Sequence, residues 1–171
     1  MTSCCSNIIV LFLASAIATC FAQVNQGPKQ WQDYVYASDG FMISAPSTPD
    51  IHPDPKADDV AVYRWNLSPS VAAAIHVGDR PDCKQIVANL RFATENARGD
   101  LRDMIVKDVT LDGNVGLEST RKVGNVRYQE AVYCVGAKAY SITGEWPSRE
   151  HEPAQLTRWF NSFHFSRSNH H

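Results

Sequence analysis

The sequence lacks several features that mark common classes of function. It has no excess of positive charge, since 16 Lys and Arg stand against 18 Asp and Glu, so a surface suited to nucleic acid is not expected. It contains no glycine-rich phosphate-binding motif and no G-x-S-x-G segment, which mark nucleotide binding and one large class of hydrolases. We therefore expect neither a nucleic-acid partner nor a cofactor.

Long hydrophobic runs are also scarce, and the one that stands out is residues 8–22, an uncharged stretch. It is shorter than the roughly 20 apolar residues of a membrane-spanning helix and is typical of a signal peptide. Since Cys20, Phe21 and Ala22 form an A-x-A-like cleavage pattern, we predict a signal peptide over 1–22 and an exposed arm over 23–30. The protein is then exported to the periplasm or the extracellular space. No later run predicts a transmembrane span.

The alternative form of export is a lipid anchor. Residues 17–20 half-resemble a bacterial lipobox, in which Cys20 would be acylated after cleavage. Beyond the leader only Cys83 and Cys134 remain, and two cysteines in an oxidising compartment usually pair. The sequence thus predicts a Cys83–Cys134 disulfide, and the alternative is two separately buried thiols.

The pattern of apolar residues predicts an antiparallel sheet. Short alternating runs are separated by two-residue turns such as Asp39-Gly40 and Asp112-Gly113, which join antiparallel neighbours. The proline-rich segment 46–55 predicts a loop. In the predicted strand 126–135 we expect the face with Tyr128, Val132 and Cys134 to be buried, although Glu130 shares it. The other predicted strands are 31–38, 41–45, 59–67, 71–77, 104–111, 114–121 and 138–146.

Two helices complete the prediction. The first covers 82–98, with Asp82 as its N-cap, Cys83 on its buried face and Gly99 as its C-cap. The second follows Pro153, with an apolar stripe at helical spacing. That stripe consists of Leu156, Trp159, Phe160 and Phe163. The sequence thus predicts a single α+β domain over 31–165, with helices packed on an antiparallel sheet, and a flexible tail over 166–171.

The two ends of this domain resemble the PsbP-like fold family. The opening pattern W-x-x-Y-x-Y-x-x-D-G-F-x-I-x-x-P-x-x-P occupies residues 31–49, and the domain closes on RWFNSFHF at residues 158–165. The resemblance implies an αβα sandwich and a non-catalytic role, because the better-understood relatives are photosystem subunits and a Ran-binding import factor. Many bacterial members are exported or lipid-anchored proteins of unknown role. The resemblance carries over no site residues.

The clearest candidate for chemistry is His76 with Asp79, at a strand end where loops often hold active sites. No nucleophile stands beside them, so the plainer interpretation is a strand-end histidine and a turn-forming aspartate. Paired acids could serve glycoside hydrolysis. Glu118 and Glu145, however, occupy the polar positions of their predicted strands, which favours a solvated sheet face for both. The candidate acids are Asp58, Asp59, Glu118, Glu130 and Glu145. We predict no catalytic residues.

Metal sites are not expected either. His151 and Glu152 do not form an H-E-x-x-H motif, because no second histidine follows at i+4, and a histidine-bearing tail has no fixed geometry. The tail histidines are His164, His170 and His171. The tyrosines of the first strands (Tyr34, Tyr36 and Tyr63) either belong to the core or line a groove.

The sequence therefore favours an exported, non-catalytic module that binds a protein partner or a cell-envelope component. The alternatives are a secreted hydrolase with a strand-end site around His76 and a carrier of a small apolar ligand.

Overall fold

The computed structural model describes residues 30–95 and 104–166. The signal peptide, the lipid anchor at Cys20, most of the arm, the cap at Gly99 and nearly all of the tail with His170 and His171 are predictions that lie outside these residues. The side chain of Asp58 also lies outside the description. The domain bounds stay predictions.

The described residues form two antiparallel sheets and two helices. In chain order the elements are β1 (Gln32–Tyr36), β2 (Phe41–Ala45), β3 (Asp50–Asp54), β4 (Ala57–Ser68), β5 (Val71–Asp79), α1 (Cys83–Glu95), β6 (Ile105–Leu111), β7 (Asn114–Val123), β8 (Val126–Val135), β9 (Lys138–Pro147), α2 (Ala154–Asn161) and β10 (His164–Phe165). The large sheet has the order β3-β4-β5-β9-β8-β7-β6, and the small sheet has the order β1-β2-β10. The predicted antiparallel α+β class is confirmed.

Two elements differ from the prediction. The segment expected to be a loop contains β3, whose Pro53 pairs with Ala61 of β4. A proline is tolerated there because β3 is an edge strand, so its missing N–H faces no second neighbour. The first two strands do not join the large sheet but pair with the short β10 after α2.

The hydrophobic core lies between the small sheet, α2 and one face of the large sheet, here called the core face. Trp65, Ile75 and Ile142 of the large sheet are almost fully buried, and so are Trp159 of α2 and Phe163 just after it. Burying a large apolar side chain stabilises the fold by about 1.5–3 kcal/mol. The small sheet and α2 thus cover the core face together, so this side of the large sheet is not a simple layer of helices.

The opposite face of the large sheet carries α1 and is here called the α1 face. A disulfide joins Cys83, the first residue of α1, to Cys134 of β8, with 5.8 Å between the Cα atoms. The pairing predicted from the cysteine count is therefore present. It ties α1 to a central part of the sheet.

The face prediction for β8 is wrong. Ala131 and Tyr133 lie in the main core with 4% and 7% exposure, whereas Cys134 and its parity neighbours lie on the α1 face. Both faces of β8 are covered, so apolar residues occur at both parities. The alternation of apolar and polar residues therefore does not indicate which face meets the main core. The charged Glu130 marks the α1 face.

Candidate functional site

The α1 face is only partly covered by its helix, and a groove remains beside it. The groove comprises two adjoining cavities of about 430 and 440 Å³ over β4, β5 and β9. Its floor carries small side chains, among them Ala72, Ala74 and Thr143, and small side chains leave the sheet open to a ligand. The β3–β4 hairpin forms one wall through Asp54 and Lys56, which line both cavities.

His76 of β5 lies in the middle of this groove and lines both cavities. Its Nδ1 atom is 3.3 Å from Oδ2 of Asp54, and the main-chain N–H of Lys56 donates to the other carboxylate oxygen at 2.8 Å. The Lys56 amide, with a smaller contribution from His76, holds the pKa of Asp54 below its ordinary value. An ionised carboxylate thus orients the imidazole ring.

Asp79, the candidate partner of His76 in the sequence, does not pair with it. Asp79 is exposed and its Oδ1 atom lies 3.8 Å from Nζ of Lys138. Residues three apart on a strand point to opposite faces, so a strand that continues to Asp79 separates the two side chains. Asp54 was missed because its segment was interpreted as a loop, although the β3–β4 pairing brings it to the same face as His76.

Ser141 is the hydroxyl residue nearest to His76 by register, because the two are direct partners across β5 and β9. Its hydroxyl donates to Oε1 of Glu130 at 2.6 Å. The hydroxyl of Thr143, the next residue on this face of β9, donates to the carbonyl oxygen of Ala74 at 3.3 Å. Neither hydroxyl is directed at the imidazole, so the groove holds an oriented histidine without an activated nucleophile among the described residues.

The acidic groups of the groove all have partners. Asp54 is held as described, Glu130 accepts from Ser141, and Oε1 of Glu145 lies 3.4 Å from a guanidinium nitrogen of Arg64. This last ion pair is at the surface, where such pairs contribute about 0–1 kcal/mol.

Two basic groups of the groove, Arg80 and Arg121, form no ion pair among the described residues, whereas the charge of Lys56 acts on Asp54. The Arg121 guanidinium lies 5.7 Å from the ring centroid of Tyr128, a cation–π distance. Four lysine and arginine side chains and three carboxylates line the groove, so it presents a small net positive charge to a ligand, in a chain whose overall charge is −2.

Of the candidate acids with described side chains, Glu130 and Glu145 both line the groove, whereas Glu118 does not. Glu118 pairs in register with Ala131 on the core face and its Oε1 lies 2.8 Å from Nζ of Lys107. Glu145 faces the other side of the sheet, in the groove. The sheet thus separates these two glutamates, and Asp59 is exposed on β4.

The tyrosines of the first strands belong to the core rather than to a groove. The Tyr36 and Tyr63 rings lie 4.6 Å apart between centroids, and Tyr63 is 5% exposed. Its hydroxyl donates to Asp39. Burial, followed by the nearby Tyr34, raises the pKa of Tyr36 to about 12.

The predicted histidine positions away from the groove are also separate. Nδ1 of His164 lies 3.3 Å from Oδ1 of Asp112, whereas His151 and Glu152 lie between β9 and α2. Within residues 30–95 and 104–166, no three His, Cys, Asp or Glu side chains converge to hold a metal ion. In the same residues no helix has the length and hydropathy to cross a membrane.

The architecture matches a known fold. The solution structure of cyanobacterial PsbP from Synechocystis sp. PCC 6803 aligns with a TM-score of 0.52 at 15% identity, over 82% of this chain and 95% of that protein. The chain has the PsbP-like fold. The resemblance drawn from the two ends of the domain is thereby confirmed at the level of the fold.

Weaker likenesses involve two other bacterial proteins. One from Bacteroides thetaiotaomicron aligns with a TM-score of 0.49 at 8% identity, over 80% of this chain and 49% of that one. A protein of unknown function from Pseudomonas aeruginosa aligns with a TM-score of 0.35 at 12% identity, over 74% of this chain and 86% of that one. The sequence matches no protein-family model and no curated protein.

Proposed function

We propose that the protein is an exported, non-catalytic module that binds an acidic segment of a protein partner in the groove of its α1 face. The observation that carries this proposal is the charge arrangement of the groove. Four lysine and arginine side chains and three carboxylates line it, and Arg80 and Arg121 lack acidic partners among the described residues. A partner that supplies carboxylates complements these cations, and such complementarity sets orientation and association rate.

The shape of the groove supports an extended ligand. It runs across adjacent strands over a floor of small side chains such as Ala72 and Ala74. A peptide segment can lie along such a floor while its carboxylates reach the rim. The charged rim disfavours the alternative of a carrier for a small apolar ligand.

Export is supported by the disulfide between Cys83 and Cys134, because such bonds persist in oxidising compartments. The apolar run at residues 8–22 supports the same compartment. The non-catalytic role is supported by the Ser141 hydroxyl, which donates to Glu130 instead of His76.

The experiment is an NMR titration with an oligoglutamate peptide at low and high salt. We expect shifts at groove residues such as Thr143 that shrink as salt is added, because salt screens exposed charges. Replacing Arg80 and Arg121 together by alanine should reduce affinity by at least about tenfold. Lys122→Ala is the matched control, since Lys122 is exposed on the strand next to Arg121 but faces the opposite side of the sheet. Equal losses in both variants, or shifts outside the groove, would contradict the proposal.

The second candidate is a hydrolase around His76, favoured by one observation. Asp54, His76 and Ser141 are neighbours on one face, although no hydrogen bond between His76 and Ser141 is formed. A fluorophosphonate probe tests it. Labelling of Ser141 in the wild type that disappears in His76→Ala would establish the hydrolase and overturn the non-catalytic role, whereas an unlabelled Ser141 supports the binding module.

A further inference from the structure

A third cavity, of about 480 Å³, lies on the other side of the large sheet, where β8 and β9 meet the segment before α2. It shares no lining residue with the groove. Its wall includes two side chains with buried polar atoms that have no hydrogen-bond partner among the described residues: Nε1 of Trp146 and Oε1 of Gln129. Buried polar groups are nearly always paired, so these two atoms need an explanation.

The two unpaired groups are close neighbours on the sheet. Trp146 pairs in register with Arg127, and Gln129 lies two residues further along β8 on the same face, which places the two side chains on a diagonal. Trp146 is only 4% exposed. One group is a donor and the other an acceptor, and exchanging the two ends of the Gln129 amide would still leave a buried atom unpaired.

The charges around this cavity balance. Three basic residues, Lys107, Arg127 and Arg149, face three acidic residues, Glu118, Glu150 and Glu152. Lys107 and Glu118 form an ion pair at 2.8 Å, and Glu152 accepts from Thr157 at 2.7 Å. A balanced rim selects neither an anion nor a cation. It supplies donors and acceptors to a neutral polar ligand.

We propose that this cavity binds a neutral, polyhydroxylated ligand of the saccharide class. A hydroxyl group both accepts and donates, so one ligand hydroxyl satisfies the indole N–H of Trp146 and the amide oxygen of Gln129 together. The rim side chains of Arg149, Glu150 and His151 are exposed.

The test is an NMR titration of the disulfide-bonded protein with glucose, galactose and N-acetylglucosamine, following the tryptophan indole signals. We expect a saturable shift of the Trp146 signal. The Trp159 indole is an internal reference because it is also buried and unpaired but does not line the cavity. The Trp65 indole, which donates to the carbonyl oxygen of Ser47 at 3.0 Å, is a second reference.

Matched variants separate binding from folding. Trp146→Phe removes the donor and keeps a ring, so it should weaken saccharide binding about tenfold, the loss of one hydrogen bond. Trp159→Phe makes the same chemical change elsewhere in the core and should leave affinity unchanged. Gln129→Met removes the acceptor and should weaken binding by a similar factor. It serves as the second test in case Trp146→Phe does not fold.

Three outcomes would overturn the inference. A Trp146 signal that shifts with none of the three sugars means that structural water alone occupies the site. Saturable binding of glutamate or sulfate in place of sugars would contradict the neutral ligand. Equal losses of affinity in Trp146→Phe and Trp159→Phe would show that the effect is structural.

Discussion

Nδ1 of His76 lies 3.3 Å from Oδ2 of Asp54, two residues that are 22 positions apart in the chain. The contact links the edge hairpin of the large sheet to its interior strand β5. It also places an ionised carboxylate inside the groove. The hydrogen bond from the Lys56 amide and the contact with His76 hold that carboxylate in its ionised form.

Asp54→Asn should destabilise the fold at neutral pH and have no effect in strong acid. Because the folded-state pKa of Asp54 is lowered, its contribution is present above the ordinary aspartate pKa of about 3.9 and is lost as pH falls through the folded-state value. Urea midpoints at pH 7 and near pH 2 measure this. Asp50→Asn, at an exposed position on the same strand, is the control for the same chemical change. An Asp54→Asn effect of equal size at both would contradict the assignment.

Removal of the disulfide should lower the free energy of unfolding by about 4 kcal/mol, since the bond closes a loop of 51 residues in the unfolded chain. Urea unfolding of a Cys83→Ala, Cys134→Ala double variant measures the loss. The wild type with its disulfide reduced should show a similar loss. A decrease below about 1 kcal/mol would mean that α1 is held by its other contacts.

The strand order of β6 to β9 could be predicted from the sequence because each turn is short and marked by glycine. Gly113, Gly124 and Gly136 all have positive φ angles of 79°, 57° and 62°, and two-residue turns fix antiparallel neighbours. The edge strand β3 could not be predicted, since its proline suppresses the strand signal and edge pairing alone makes it tolerable. The missed strand concealed Asp54 as well.

The buried face of β8 illustrates a different limit. When both faces of a strand are covered, the alternation of its residues separates the two faces. It does not show which of them meets the larger core. Cys134 suggested burial, and it is half-buried by α1, yet Tyr133 on the other parity faces the main core. The charge of Glu130 was the better indicator, because a carboxylate at a groove remains accessible to water and to Ser141.

Four of the six tyrosines should resist ionisation in alkaline solution. Burial is the largest cause that raises the pKa of Tyr36, Tyr63, Tyr133 and Tyr140 above the ordinary value near 10. The stability linked to them is present below that ordinary value and is lost as pH rises toward the folded-state pKa values. Absorbance at 295 nm should therefore rise less at pH 11 in the folded protein than in urea. Equal rises would contradict the burial of these side chains.

Gly144→Ala should destabilise the contact between the large sheet and α2. A Cβ atom at this position would lie 2.7 Å from Cδ1 of Leu156 and 2.9 Å from Cε2 of Phe160. Leu156 is fully buried, so it has little room to withdraw, and overpacking of this kind costs about 1–3 kcal/mol. Urea unfolding measures the change.

A double-mutant cycle with Leu156→Ala tests the cause of that destabilisation. Leu156→Ala alone leaves a cavity and should cost about 2–5 kcal/mol. It also creates the space that the new methyl group of Gly144→Ala needs, so the double variant should be more stable than the sum of the two single losses implies, by about 0.5–3 kcal/mol. Strict additivity would show that Leu156 is not the side chain that resists the new methyl group.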